Sequence, residues 1–199
     1  MSISNVRSQV VDITKDVPRR GEQFVVDTNS WYQLTYARLL DPKPGYPQYI
    51  KRALESGSDL FCCAVTLVEL ASVIESNEHK LYQLAQPHVN PKMFRHECPK
   101  ERASVVQTIK TCWDQISGIA NLIDLSLDQR MVNRALDALE NYSIDGYDIL
   151  IVEAMDRRGI INVITDDGDF ASVPDVMLFT ANPHTISVAR RQGRLHTRS

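Results

Sequence analysis

SIDGYDILIVEAMDRRGIINVITDDGDF, residues 143–170, is the stretch on which the fold turns. Its first part (143–159) reads as a helix with an apolar face through Ile149, Val152 and Met155, stopped at Gly159. Apolar residues recur there at helical spacing, and glycine suits a helix end. IINVIT (160–165) is a short apolar run, the mark of a strand buried on both faces. DDGDF (166–170) is a tight acidic turn.

The same alternation continues outward. QFVVD (23–27) predicts a strand, and Thr28, Asn29 and Ser30 are good cap types for a helix through WYQLTYARLL (31–40). DPKPGYP (41–47) is a turn cluster and QYIKRALESG (48–57) a second helix. DLFCCAV (59–65) predicts a strand, with Thr66 capping the helix that follows and Glu69 completing a capping box. PHVNPKMFRHECP (87–99) breaks the pattern with three prolines before a long helix over 101–120. NLIDLS (121–126) and VMLFT (176–180) are further strands, and 127–141 is an amphipathic helix. The expected architecture is a single α/β three-layer domain around a central, mostly parallel five-stranded sheet. Residues 1–20 read as a polar, weakly structured leader, 21–182 as the domain with a helical insertion at about 75–120, and 183–199 as a basic tail.

Bulk properties narrow the class. The 199 residues are 43% hydrophobic and 24% charged, a globular balance. No apolar run approaches the roughly 18 residues of a membrane span, and the N-terminus lacks the apolar core of a secretory signal. A cytoplasmic protein without a membrane partner is expected. Adjacent Cys62 and Cys63 read as small buried hydrophobes. His88, His96, Cys98 and Cys112 match no standard zinc spacing. The net charge of −3 argues mildly against nucleic acid, unless several of the acids hold divalent cations. The tail, with Arg190, Arg191, Arg194 and Arg198, reads either as a solvated terminus or as a contact for RNA phosphates or an acidic partner.

The acids carry the chemistry. Asp27 ends one strand, Glu69 sits in the first turn after another, Asp148 opens the helix before the fourth, and Asp166, Asp167 and Asp169 follow that strand. In a parallel sheet these positions share one edge, where ligands bind. Each acid also has a plainer reading: Asp27 as a cap, Glu69 as a capping-box partner, Asp148 as a dipole complement, and DDGD as a polar turn. All four plain readings together would have to imitate one site. Clustered carboxylates repel unless a cation sits among them, and all-oxygen donors favour Mg²⁺ or Mn²⁺. Metal-assisted phosphodiester hydrolysis suits such a cluster.

VVDTNSW (25–31), TLVELASV (66–73), YDILIVEAMDRRG (147–159) and VITDDGDF (163–170) together resemble the motif series of the PIN domain, especially the VapC-type toxins. The resemblance implies a PIN-like three-layer α/β/α fold and assigns Asp27, Glu69, Asp148 and Asp167 as catalytic metal carboxylates. Thr28 or Asn29 would support the first. Thr165 would orient a carboxylate or the scissile phosphate. Asp166 and Asp169 stand as substitutes for Asp167, and Asp145 reads as a helix cap. The implied activity is Mg²⁺- or Mn²⁺-dependent endoribonuclease cleavage of single-stranded RNA by activated water. An antitoxin partner and a homodimer are implied with it. The alternative is a non-catalytic PIN-like module that binds RNA or protein. Leader, insertion and tail make the chain longer than a compact VapC-type toxin.

Overall fold

The computed structural model of the chain describes residues 5–37, 43 and 45–198. The first part of the expected turn cluster, including Asp41 and Pro42, therefore lies outside the described residues. Six strands form one sheet: β1 (Gln9–Asp12), β2 (Gln23–Val26), β3 (Asp59–Cys63), β4 (Asn121–Ile123), β5 (Asn162–Ile164) and β6 (Met177–Thr180). Their order is β1-β6-β5-β2-β3-β4, and every pairing is parallel. The sheet thus has six strands rather than the expected five. The extra one comes from the leader, where Val10 and Val11 are fully buried.

The helices are α1 (Thr28–Thr35), α2 (Gly45–Glu55), α3 (Ala64–Gln83), α4 (Pro91–Glu97), α5 (Pro99–Ser117), α6 (Gln129–Asn141), α7 (Gly146–Arg158) and α8 (Pro183–Arg191). The side-chain period of two splits each strand between two cores. Val11, Phe24, Val26, Leu60, Cys62, Ile164 and Phe179 pack on one face, against Trp31, Tyr49, Leu70, Ile74 and Ile116 from α1, α2, α3 and α5. Val10, Val25, Cys63, Val163 and Leu178 pack on the other, against Met131, Ile151, Met155, Ile186 and Val188 from α6, α7 and α8. Three layers result.

Two local readings change. α3 starts at Ala64 with Cys63 as its cap and no side-chain cap bond. Thr66 is therefore inside the first turn, its buried hydroxyl lacks a partner among the described residues, and Glu69 falls in the second turn. Apolar packing of Val65 and Leu70 overrides the local Thr preference. The proline-rich stretch also holds more order than its composition suggests. Asn90 caps α4, accepting from the Met93 amide at 3.0 Å, and Phe94 is buried between His79 and Tyr82.

The tail differs as well. α8 packs on β1, and beyond it Leu195 bridges to Val10 in parallel register. The Val10 amide donates to the Arg194 carbonyl at 2.9 Å and the His196 amide to the Val10 carbonyl at 2.7 Å. The tail covers the open edge of β1, which would otherwise present unpaired backbone groups.

Candidate functional site

From β2 the chain builds outward in one direction through β3 and β4, and from β5 in the other to β6, beside which the first strand β1 forms the edge. The switch point lies between β2 and β5. Connections diverge there and leave a crevice at the carboxyl ends of the strands. Asp27 follows β2 and Thr165–Asp167 follow β5, so both reach that crevice. α3 and α7 begin at the same rim, with the positive ends of their dipoles towards it.

Asp27 is 4% exposed and caps α1. One carboxylate oxygen accepts from the Thr28 amide at 2.6 Å, the other from the Thr165 hydroxyl at 2.6 Å and from the Asn29 amide group. Asn29 also donates to the Thr165 hydroxyl at 2.8 Å, while that oxygen accepts from the Asp167 amide at 2.9 Å. Thr28 donates to a Glu69 carboxylate oxygen at 2.6 Å. Thr28, Asn29 and Thr165 thus tie Asp27, Glu69 and the acidic turn into one network.

Asp148 is 7% exposed in the first turn of α7. Its own amide is taken by the capping Asp145 carboxylate, which accepts from Tyr147 and Asp148 at 2.9 and 3.1 Å. Among the described residues no donor reaches the Asp148 carboxylate. Burial pushes its carboxyl up to about 9, and the charges of Asp27, Asp145, Asp167 and Glu69 push the same way. Burial raises Asp27 to about 7; the Thr165 hydrogen bond opposes that rise, and the Glu69 and Asp167 charges add to it. Glu69 is raised by burial, against the Thr28 bond and with Asp145 and Asp167 nearby. Asp169 is raised by burial and by the Asp167 and Asp145 charges. Thr28 and Thr165 link Asp27, Glu69 and the acidic turn, and Asp148 stands in the first turn of α7 at the same rim.

The acidic turn separates its members. The Asp166 carboxylate is held by the Lys43 ammonium and by the Tyr46 hydroxyl at 2.7 Å. Its backbone is pinned by Asn29 at 2.9 Å and by the Asn182 side chain at 2.9 Å. Asp167 accepts from the Asp169 amide at 2.8 Å and, among the described residues, has no cation beside it comparable to the Lys43 of Asp166. Lys43, Tyr46 and Asn182 have no local sequence signal for these roles, because their partners lie 123, 120 and 16 residues away.

Beside the turn lies a hollow of about 450 Å³ lined by Asn29, Asp166–Asp169, Asn182 and His184. Another, of about 390 Å³, sits between α6, α7 and the amino-terminal approaches to β5 and β6, and none of the four expected acids lines it. In the insertion, Cys112 is buried in the core while His88 and His96 are exposed.

Compared with known families, residues 24–176 match the family model of the PIN domain. The chain belongs to the PIN domain family. Two solved structures are similar in fold. One is VapBC2 from Rickettsia felis bound to a DNA fragment from their promoter, at 14% identity and a TM-score of 0.48, covering 78% of this chain and 96% of that one. The other is FitAcB from Neisseria gonorrhoeae, at 16% identity and a TM-score of 0.49, covering 79% and 97%. A search of curated proteins by sequence returned no match. In this PIN domain no helix among the described residues is long and apolar enough to cross a membrane.

Among the described residues no three acid, His or Cys side chains close on one point as a preformed metal cage. The fit to a divalent cation lies in charge and donor type. Asp27 and Asp148 are buried carboxylates, their neighbours are acidic, and the nearby Lys43 is committed to Asp166. A hard cation with oxygen preference suits that arrangement.

Proposed function

We propose that this PIN domain is a metal-dependent endoribonuclease that hydrolyses single-stranded RNA, using Asp27, Glu69, Asp148 and Asp167 as the carboxylates that hold Mg²⁺ or Mn²⁺. The supporting observation is the buried Asp148 carboxylate, raised to about 9 by burial and four neighbouring acids and, among the described residues, without a hydrogen-bond donor. A folded chain that keeps such a group carries an electrostatic cost that a bound cation offsets. A cation held by these carboxylates would supply Lewis acidity, for activating water and offsetting charge that builds on the phosphodiester.

The chain's own groups do the rest. Thr28, Asn29 and Thr165 fix the orientation of Asp27 and Glu69. Asp145 caps α7 and so sets the position of Asp148. Burial of Asp27 and Asp148 excludes water around the ligands and strengthens their field. Use as the toxin of a toxin–antitoxin pair, with an antitoxin as protein partner and a homodimer as the assembly, is part of the same proposal and is supported by the motif series.

The Asp166–Lys43–Tyr46 contacts make the fourth carboxylate testable. Asp167→Asn is expected to lower metal-dependent cleavage of a fluorogenic single-stranded RNA by on the order of 10²-fold or more. Asp166→Asn is expected to change it by less than about tenfold, the scale of a second-sphere hydrogen bond. The reverse ranking in initial rates at saturating Mn²⁺ would move the assignment to Asp166.

A further inference from the structure

From the hollow beside the acidic turn, two more continue along the same rim towards the sheet edge. Asn182 and His184 line the first, while Ala181 and Pro183 line the next on the far side of the β6–α8 turn. That second hollow, of about 320 Å³, is bounded by Asp12, Thr14, Ser187 and Arg190. Arg190 and Asp12 also border a third, of about 280 Å³, with Lys15, Asp16, His196 and Arg198. β1 stands three strands from β2, so the row extends on the order of 14 Å sideways at about 4.8 Å per strand.

The charge along this row changes sign. Residues 183–199 carry four arginines and no acid in a chain of net charge −3. Arg198 is taken up by Asp16 and Glu22. Asp12 is held by the Thr14 amide at 3.0 Å and hydroxyl at 2.6 Å, with Lys15 3.9 Å away. Arg190 is exposed and, among the described residues, has no acidic partner. Beyond the acidic turn the row therefore holds Arg190 without an acidic partner among the described residues, Lys15 beside Asp12, and His184 and His196 at its borders, a ledge with more basic than acidic side chains.

We infer that this ledge binds the phosphate backbone of the single-stranded RNA leaving the acidic site, with Arg190 and Lys15 as its main cationic contacts. The inference rests on the nuclease reading for the identity of the strand. Backbone contacts by exposed cations position a strand without reading its bases, so the ledge confers length dependence rather than sequence preference.

The experiment is binding of a 5′-fluorescein single-stranded RNA of about 20 nucleotides, longer than single-strand sites of about 4–16 nucleotides, to the full chain carrying Asp148→Asn, across a series of salt concentrations. A Lys15→Glu/Arg190→Glu pair is compared with a charge-matched Lys100→Glu/Lys110→Glu pair on α5. All four side chains are exposed, so unchanged melting midpoints serve as the folding control. The ledge pair is expected to weaken binding by about tenfold or more. It should also flatten the log–log salt slope by roughly 1.4, two phosphate contacts at about 0.7 each. Equal losses in both pairs reduce the effect to net charge and overturn the inference, as does no loss in either. An unsubstituted chain that binds the RNA but does not cleave it with Mg²⁺ or Mn²⁺ overturns the nuclease reading alone.

Discussion

Asp148→Asn is expected to remove Mg²⁺- or Mn²⁺-dependent RNA cleavage while raising the melting midpoint of the metal-free protein. The loss follows from the proposed role. A metal contributes several kcal/mol of transition-state charge stabilisation, and at 1.36 kcal/mol per decade that is roughly 10³-fold or more in rate. The gain in stability follows from burial. At neutral pH the folded chain either keeps Asp148 ionised among four acids or binds a proton there, and both cost free energy relative to the unfolded chain. Asparagine has the same shape and no charge. One pKa unit is worth about 1.4 kcal/mol, which moves the midpoint of a protein of this size by roughly 3–6 °C.

The raised carboxyls of Asp27 and Asp148 also impose a pH dependence. Asp27, at about 7, and Asp148, at about 9, both lie above the ordinary 3.8. The folded chain therefore holds protons that the unfolded chain releases, and stability falls where that difference exists. Stability present below about pH 4 is lost as the pH rises through 7 and then 9. With Mn²⁺ added the ionised forms gain a partner, so the decline should flatten. Melting midpoints from pH 5 to 9, with chelator and with Mn²⁺, check both halves. A lower midpoint for Asp148→Asn, or coincident curves with and without metal, would sink the assignment of Asp148 as a ligand.

These effects were legible in the sequence to unequal degrees. VVDTN and VITDDGD announce themselves because the strand, its end and the polar residues of the turn are contiguous, and local rules suffice. Asp27 and Asp148 could be placed on one rim from strand direction alone. β1 could not be read that way. Its apolar run is only Val10 and Val11, and its order depends on β6, more than 160 residues downstream, and on Leu195. The contacts that set Asp166 apart from Asp167, with Lys43 and Tyr46, likewise cross over 100 residues. Thr66 was misplaced because cap preference is a weak prior that core packing overrides. The order of the tail could not be read locally because the partners of Arg198, Asp16 and Glu22, sit at the other end of the chain.

Arg198 is the clearest example of such a distant partner, and Arg198→Ala is expected to be among the most destabilising changes away from the two apolar cores. The guanidinium is 5% exposed. Its Nε donates to Asp16 at 2.8 Å, its two terminal nitrogens engage Asp16 and Glu22, and its carbon lies 4.7 Å over the Phe179 ring. Tyr49 also donates to Asp16. Replacing the pair with well-packed apolar groups could be neutral, but removing the cation alone leaves Asp16, itself 8% exposed, as an uncompensated buried charge. The expected cost is roughly 3–5 kcal/mol, a fall in midpoint on the order of 10 °C. Because the same segment covers the edge of β1, amide exchange at Val10 and His196 should accelerate in the variant, whereas exchange in β2 and β5 should follow global stability alone. Arg198→Lys should recover part of the loss, since an ammonium restores the charge but not the fork that spans both carboxylates. A midpoint shift of less than about 2 °C in the alanine variant would show that desolvation of the guanidinium already offsets its ion pairs. The edge would then be held by the Val10–Leu195 backbone pairing.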